Sequence, residues 1–293
     1  MKPAPFAYHA PDTLDEALDL LAQLGDDAKA LAGGQSLIPM MNMRLAQPQA
    51  LIDVCRVPEL AGIALDGALA IKAATRQAAV LRSPEVAAAA PLLGAALRHV
   101  GHPANRSRGT FGGSVAHADP AAELPSAVLA LDAQLVVRGP RGERVVAADD
   151  FFTSYFSTAL DADELLTEIR LPLPGPGERT AWAFAELARR HGDFAIAGVA
   201  LAARVGDDDV VTSARIALLG VADVPARARA AEALLAGRRL DEPELARAAG
   251  AVAAEGLAPP DDLHGSAQYR LDVTRVLVRR AIEQSAGRER AAA

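Results

Sequence analysis

Two glycine pairs, Gly33-Gly34 and Gly112-Gly113, constrain this 293-residue chain more than any other feature. The first follows a short apolar run, Ala30-Leu31-Ala32, and leads through Gln35-Ser36 into an apolar segment from Leu37 to Leu45. That order reads as strand, tight turn and helix, with Ser36 at the helix N-cap. Adjacent glycines admit positive φ and leave main-chain N–H groups open to a ligand, and a helix start favours a phosphate. A plain helix connection with no ligand fits the same pattern. Neither a G-x-G-x-x-G after a strand nor a G-x-x-x-x-G-K-[ST] occurs in the chain.

The second pair lies in RSRGTFGGSVAHADPAAELP, Arg106 to Pro125, between Thr110 and Ser114 and ahead of His117, Asp119 and Glu123. This stretch is too polar and glycine-rich for a core strand and too long for a simple connection, so it reads as a functional loop. Two glycine pairs with hydroxyl and carboxylate neighbours suit a long ligand that carries both phosphates and sugar hydroxyls.

Composition excludes several other partners. A net charge of −7 and no Lys/Arg-rich run argue against nucleic acid. No apolar run approaches the roughly 20 residues of a membrane span, and MKPAPFAYHAP lacks a signal peptide's apolar region, so a cytoplasmic location is expected. The single cysteine, Cys55, precludes an internal disulfide, a cysteine-ligated iron–sulfur cluster or a cysteine-rich zinc site. It ends an apolar strand-like run and reads as a packed residue rather than a redox thiol.

The elements follow from periodicity and punctuation. Thr13 and Glu16 form a capping box for a helix that ends at Gly25, and a strand returns over 50–54 to complete a first lobe, 1–55. Asp66-Gly67 marks a hairpin. Helices are expected over 77–81, 91–100 and 124–131, with strands over 134–138, 143–147 and 165–171. The run PLPGPGE, 172–178, marks a domain boundary. Beyond it, strands over 181–187, 195–205 and 210–221 and helices over 226–236, 243–255 and 266–285 predict an α+β layer with a three-stranded sheet. The alanine-rich residues 288–293 read as a frayed tail.

AGGQS at 32–36, NMRLAQP at 42–48, RGTFGGSVAHADPAAELP at 108–125 and ARRHGDFAIAG at 188–198 resemble the FAD-binding medium subunit of molybdenum-containing hydroxylases, the family of xanthine dehydrogenase and aerobic carbon monoxide dehydrogenase. The resemblance covers nearly the whole chain. It implies a two-lobed PCMH-type FAD-binding domain of the vanillyl-alcohol-oxidase-like kind over 1–175 (lobes 1–55 and 56–175), and a smaller α+β C-terminal domain over 176–287.

It also implies residue roles. Ala30, Leu31, Ala32, Gly33, Gly34, Gln35, Ser36 and Leu37 would wrap the pyrophosphate of FAD, and Thr110, Gly112, Gly113 and Ser114 would complete the cradle. Asp119 and Glu123 would accept from ribityl or ribose hydroxyls, although Glu123 equally suits a cap to the following helix. His117 would stand near the flavin, Leu165 would contact it, and Phe194 would lie against the isoalloxazine, although a Phe ahead of an apolar strand also suits a core. Gln35 stands where carbon monoxide dehydrogenases carry a histidine, and Phe184, Ala185 and Glu186 stand where some members carry a lysine. No residue is expected to be a catalytic acid, base, nucleophile or metal ligand.

The implied partners are a small [2Fe-2S] subunit and a large molybdopterin subunit carrying the molybdenum, arranged as a dimer of heterotrimers, with electrons leaving FAD for oxygen, NAD or a quinone. A self-contained FAD-dependent oxidase and a non-enzymatic FAD-binding assembly module remain open as alternatives.

Overall fold

The structure is a computed structural model that describes residues 2–242 and 244–292. The first lobe contains β1 (Ala7–His9), α1 (Leu14–Leu24), β2 (Ala28–Leu31), α2 (Leu37–Asn42) and β3 (Ala50–Asp53). Its three strands are parallel, in the order β1-β3-β2. Thr13 Oγ1 accepts from the Glu16 amide at 3.2 Å, and Glu16 reaches back to the Asp12 amide at 3.0 Å. Leu14, Ala17, Leu18 and Leu21 line the buried face of α1.

Helix α2 is shorter than the apolar pattern to Leu45 suggests. The Leu45 amide reaches back to Met40 O at 2.9 Å and the Arg44 amide to Met41 O at 3.0 Å, with Arg44 at φ 59°. This is the Schellman closure of a helix, with arginine in the left-handed position usually held by glycine. Ser36 is also not the expected cap. Its backbone is already helical and its side chain makes no capping bond, whereas an N-cap residue needs extended φ/ψ to aim its hydroxyl at the next turn.

The second lobe opens with the hairpin β4 (Ile63–Asp66) and β5 (Ala68–Lys72), turning at Gly67 with φ 66°. Six short helices follow: α3 (Gln77–Arg82), α4 (Pro84–Ala89), α5 (Pro91–His99), α6 (Pro103–Arg108), α7 (Phe111–His117) and α8 (Glu123–Ala130). The sequence reading has half as many. Pro84, Pro91 and Pro103 each open a helix at its first position, where a missing N–H costs nothing. Then come β6 (Gln134–Gly139), β7 (Gly142–Ala147), the single turn α9 (Ala148–Phe151), the small hairpin β8 (Phe152–Ser154) and β9 (Ser157–Thr158), and β10 (Leu165–Pro172). The main sheet is antiparallel, in the order β4-β5-β10-β6-β7.

The remaining chain forms β11 (Arg179–Leu187), β12 (Ala197–Val205), β13 (Val211–Leu219), β14 (Ala226–Arg227), α10 (Arg229–Leu235), α11 (Leu245–Val252) and α12 (Ala267–Ala292). The sheet has four strands, not three. The fourth, too short to leave a periodic pattern, occupies the start of the helix expected from Ala226. Pro243, expected to start a helix, lies outside the described residues, as does Ala293. Helix α12 runs on to Ala292 where a frayed end was expected, in a segment rich in the strong helix formers Ala, Arg and Glu.

One face of this sheet, with Val199, Leu201, Ile216 and Leu218, packs on α10, α11 and α12. The other, with Phe184, Ala200, Ala217 and Leu219, rests on α5 and α8. The second-lobe core therefore continues into the C-terminal sheet, while the first lobe keeps a smaller core of its own.

Candidate functional site

The first glycine loop leaves the C-terminal ends of β2 and β3, where Leu31 pairs with Asp53. Gly34 has φ 69°, a left-handed conformation that glycine adopts without strain. Among the described residues, the backbone N–H groups of Gly33, Gly34, Gln35, Ser36 and Leu37 donate to no protein acceptor; the first amide to find one is that of Ile38, on Gly34 O at 3.2 Å. Five consecutive free donors at a loop-to-helix junction suit an anion.

The second glycine segment closes against this loop. A β-carbon at Gly33 would stand 2.5 Å from both Arg108 O and Gly109 Cα, and one at Gly113 would stand 3.1 Å from Ala32 Cβ. Glycine at both positions is what lets the two backbones touch. Gln35 is tied across the gap, accepting from Asn105 Nδ2 at 3.3 Å and donating to Gly33 O at 3.1 Å.

The amides of the second segment are spoken for. Phe111 N donates to Thr75 O and Gly112 N to Ala73 O, each at 2.8 Å; Gly113 N donates to Thr110 Oγ1 at 3.1 Å and Ser114 N to Thr110 O at 3.3 Å. Thr110 is thus the N-cap of α7, and Gly112 packs its Cα side against Ala73. This segment offers hydroxyls and a close-fitting wall, not a second row of free donors.

Residues that sequence reasoning passed over complete the wall. Arg76 donates to Arg108 O, the carbonyl that faces Gly33. Gln77 lies over Gly109 and donates to Thr110 O at 3.4 Å. Asn105 caps α6 through the His102 amide at 3.1 Å while holding Gln35. Only Asn105, directly ahead of RSRGTF, stands next to a glycine-pair segment; Arg76 and Gln77 lie in a distant part of the chain and carry no such signal. Cys55 is half-buried beside these arginines; burial pushes its thiol up, and Arg76 and Arg108 oppose that.

The third segment joins through α6. Gly192, at φ 87°, packs against Gly101 O and the His102 ring. It carries Phe194, which is 65% exposed and stacks on no other ring among the described residues. An aromatic left exposed on a loop anchored beside an anion cradle suits a planar ligand face.

His117, Asp119 and Glu123 follow the second glycine pair. The His117 ring lies 4.9 Å from that of Phe156, and burial lowers its pKa while Asp119 opposes. Asp119 accepts from the Ala121 amide at 2.9 Å and is pushed up by burial. Glu123 opens α8 rather than preceding it, and burial pushes its carboxyl up to about 8. Leu165 is buried in the first-lobe core, against which Ala32 also packs. No group of three or more His, Cys, Asp or Glu among the described residues can hold a metal.

The description "FAD binding domain in molybdopterin dehydrogenase" matches residues 4–174 and "CO dehydrogenase flavoprotein C-terminal domain" matches 182–285. The chain belongs to this flavoprotein family. It is 42% identical to the 6-hydroxypseudooxynicotine dehydrogenase complex subunit alpha of Paenarthrobacter nicotinovorans over 99% of this chain and 97% of that protein. It is 41% identical to the carbon monoxide dehydrogenase medium chain of Hydrogenophaga pseudoflava over 96% of this chain and 97% of that one. A solved structure of the Hydrogenophaga enzyme, lacking the Mo-pyranopterin moiety of its molybdenum cofactor, superposes with a TM-score of 0.94 at 42% identity, covering 98% of this chain and 99% of that chain. These relatives are named as subunits or chains of oxidoreductase complexes, and the two-domain α+β fold is the one they share. Among the described residues no helix is long and apolar enough to cross a membrane.

Proposed function

We propose that this chain is the FAD-binding electron-transfer subunit of a heterotrimeric molybdenum hydroxylase. It takes electrons from a small [2Fe-2S] subunit, fed by a large molybdopterin subunit, and delivers them through FAD to an external acceptor such as oxygen, NAD or a quinone. Relatives named as medium chains and complex subunits support the presence of partner subunits; a dimer of such heterotrimers and a cytoplasmic setting are part of the same proposal. In this reading residues 1–175 form the FAD-binding domain and 176–287 the C-terminal domain.

The row of free amides from Gly33 to Leu37 carries the assignment. FAD fits this site: a diphosphate has the acceptors to occupy five donors, and a β-carbon at Gly33 or Gly113 would push apart the two loops whose contact shapes the cradle. When bound, FAD supplies one- and two-electron redox chemistry. The chain's residues bind and orient it. Residues Ala30 to Leu37 wrap the diphosphate, Thr110 and Ser114 add hydroxyls, and Gly112 and Gly113 let their helix approach. Asp119 and Glu123 serve sugar-chain hydroxyls, His117 and Leu165 border the site, and Phe194 covers the ring. No residue is needed as acid, base or nucleophile.

Titration of the purified chain with FAD, followed by visible absorbance and flavin fluorescence, tests this reading. Saturable binding by the wild type is expected, with loss in Gly33→Val/Gly113→Val at unchanged far-UV circular dichroism. A folded wild-type chain that binds no FAD even with both partner subunits present would overturn it.

A further inference from the structure

A cavity of about 190 Å³ lies in the seam between the C-terminal sheet and the second lobe, and none of its lining residues belongs to the glycine loops. Its wall on the sheet side follows from strand register. Thr180, Arg204 and Ser213 are paired across β11, β12 and β13, and Arg215 stands on the same face, paired with Ala202. The end of α8, with Asp132, and the chain leaving β10 at Pro172 close the other side.

The two arginines of this cavity are in different states. Arg215 is neutralised, at 2.6 Å from Asp132 and 2.7 Å from Asp149. Arg204 forms no ion pair among the described residues. It donates to Thr180 Oγ1 and to Pro172 O, each at 2.7 Å, which leaves the rest of its five-donor fork unassigned. Glu178 and Asp132 act on it only through space, and Glu178 is itself held by Thr212 at 2.8 Å and the Gly175 amide at 3.2 Å. Partial burial lowers the Arg204 pKa, opposed through space by Glu178 and Asp132.

We propose that this cavity binds a small oxyanion, a phosphate or a short carboxylate, on the guanidinium of Arg204 with the hydroxyl of Ser213 at its edge. A guanidinium fork matches such oxyanions with two parallel bonds. At this volume, below the roughly 300–1,000 Å³ of pockets that enclose drug-sized ligands, the cavity suits a small oxyanion better than a nucleotide. Because the walls come from the C-terminal sheet, from α8 and from the segment after β10, an occupant fastens the two domains together. Its binding therefore raises the stability of the whole chain by mass action.

Trp182, the only tryptophan of the chain, is paired with Ala202 on the same sheet face and reports on the cavity. The test titrates the full-length chain with inorganic phosphate and, separately, with acetate, at constant ionic strength balanced with chloride. Trp182 fluorescence and Tm are read together. A saturable fluorescence change with a rising Tm supports the proposal, and the anion that saturates at lower concentration identifies the source. Arg204→Gln should weaken binding at least about tenfold, the scale of a lost charge-assisted hydrogen bond. Ser213→Val, at an exposed strand position, should also weaken it by crowding the cavity and keeps the test valid if Arg204→Gln fails to fold. A response that chloride reproduces, or that both variants retain, overturns the proposal.

Discussion

A β-carbon added at Gly112 would stand 2.4 Å from Ala73 Cβ and 2.6 Å from Ala73 Cα, whereas one at Gly113 would meet the Thr110 hydroxyl at 2.5 Å and Ala32 Cβ at 3.1 Å. The first obstacle is backbone that cannot step aside, and the second includes a side chain that can rotate. Gly112→Ala should therefore cost about 1–3 kcal/mol of stability by overpacking. Gly113→Ala should cost about 1 kcal/mol, the value of the displaced Thr110 cap. FAD affinity should follow the opposite order, because Gly113 meets the first loop and Gly112 does not. Urea midpoints set beside FAD titrations check this, and a larger affinity loss in Gly112→Ala would sink the distinction. The sequence made a demand for glycine legible at all four positions without distinguishing its cause. Gly34 serves by positive φ, while Gly33, Gly112 and Gly113 serve by close approach. That difference depends on which distant backbone arrives, which no local pattern encodes.

Helix α1, the β4–β5 hairpin and the long strands of both sheets were readable because each is closed by its own cap, turn or period. The missed features are those fixed from outside the element. Strand β14 is two residues held beside β13, and Arg227 within it is anchored to Glu232 at 2.6 Å and Asp149 at 3.1 Å. The loop that carries Phe194 is likewise set by a partner far along the chain. Arg270, 4% exposed on α12, donates to Ile196 O and, at 2.9 Å, to Gly220 O; the Gly220 amide in turn donates to Pro120 O at 2.8 Å in the loop ahead of Glu123. One buried arginine thus ties the final helix to the base of the Phe194 loop. Arg270→Met should destabilise the chain by about 3 kcal/mol, since two buried carbonyls lose a charged donor. Hydrogen exchange at residues 188–196 should rise well beyond that of α1. Unchanged protection of that loop in a destabilised variant would show that Arg270 acts on stability alone.

At the scale of the molecule, the seam between the domains holds a group of titratable side chains that makes stability depend on pH. Glu123 at the start of α8, His99 at the end of α5 and Glu186 on β11 meet where the C-terminal sheet rests on those helices. His99 Nδ1 lies 3.0 Å from Glu186 Oε1, Glu186 Oε2 is buried with no hydrogen-bond partner among the described residues, and the Phe184 ring lies 5.2 Å from His99. Asp119 also faces Glu123. Burial is the chief cause that pushes Glu123 up to about 8 from an ordinary 4.5. Across that interval the folded chain holds a proton that the unfolded chain has released, so stability falls as pH rises. His99 is raised mainly by its bond to Glu186. Its contribution is complete below its ordinary 6.5 and is lost as pH climbs through the raised value, so the two groups act in the same direction. The urea midpoint should therefore drop between about pH 6 and pH 8.5, and Glu123→Gln, neutral at every pH, should flatten most of that slope. A midpoint that is level or rising over this range, or a slope that survives Glu123→Gln, would mean that the buried carboxyl is not what the seam titrates. Because Glu123 follows the second glycine segment on the same short stretch of chain, its loss of a proton strains the contact between the domains beside the proposed flavin cradle. The same variant should therefore narrow the pH dependence of FAD affinity along with that of stability.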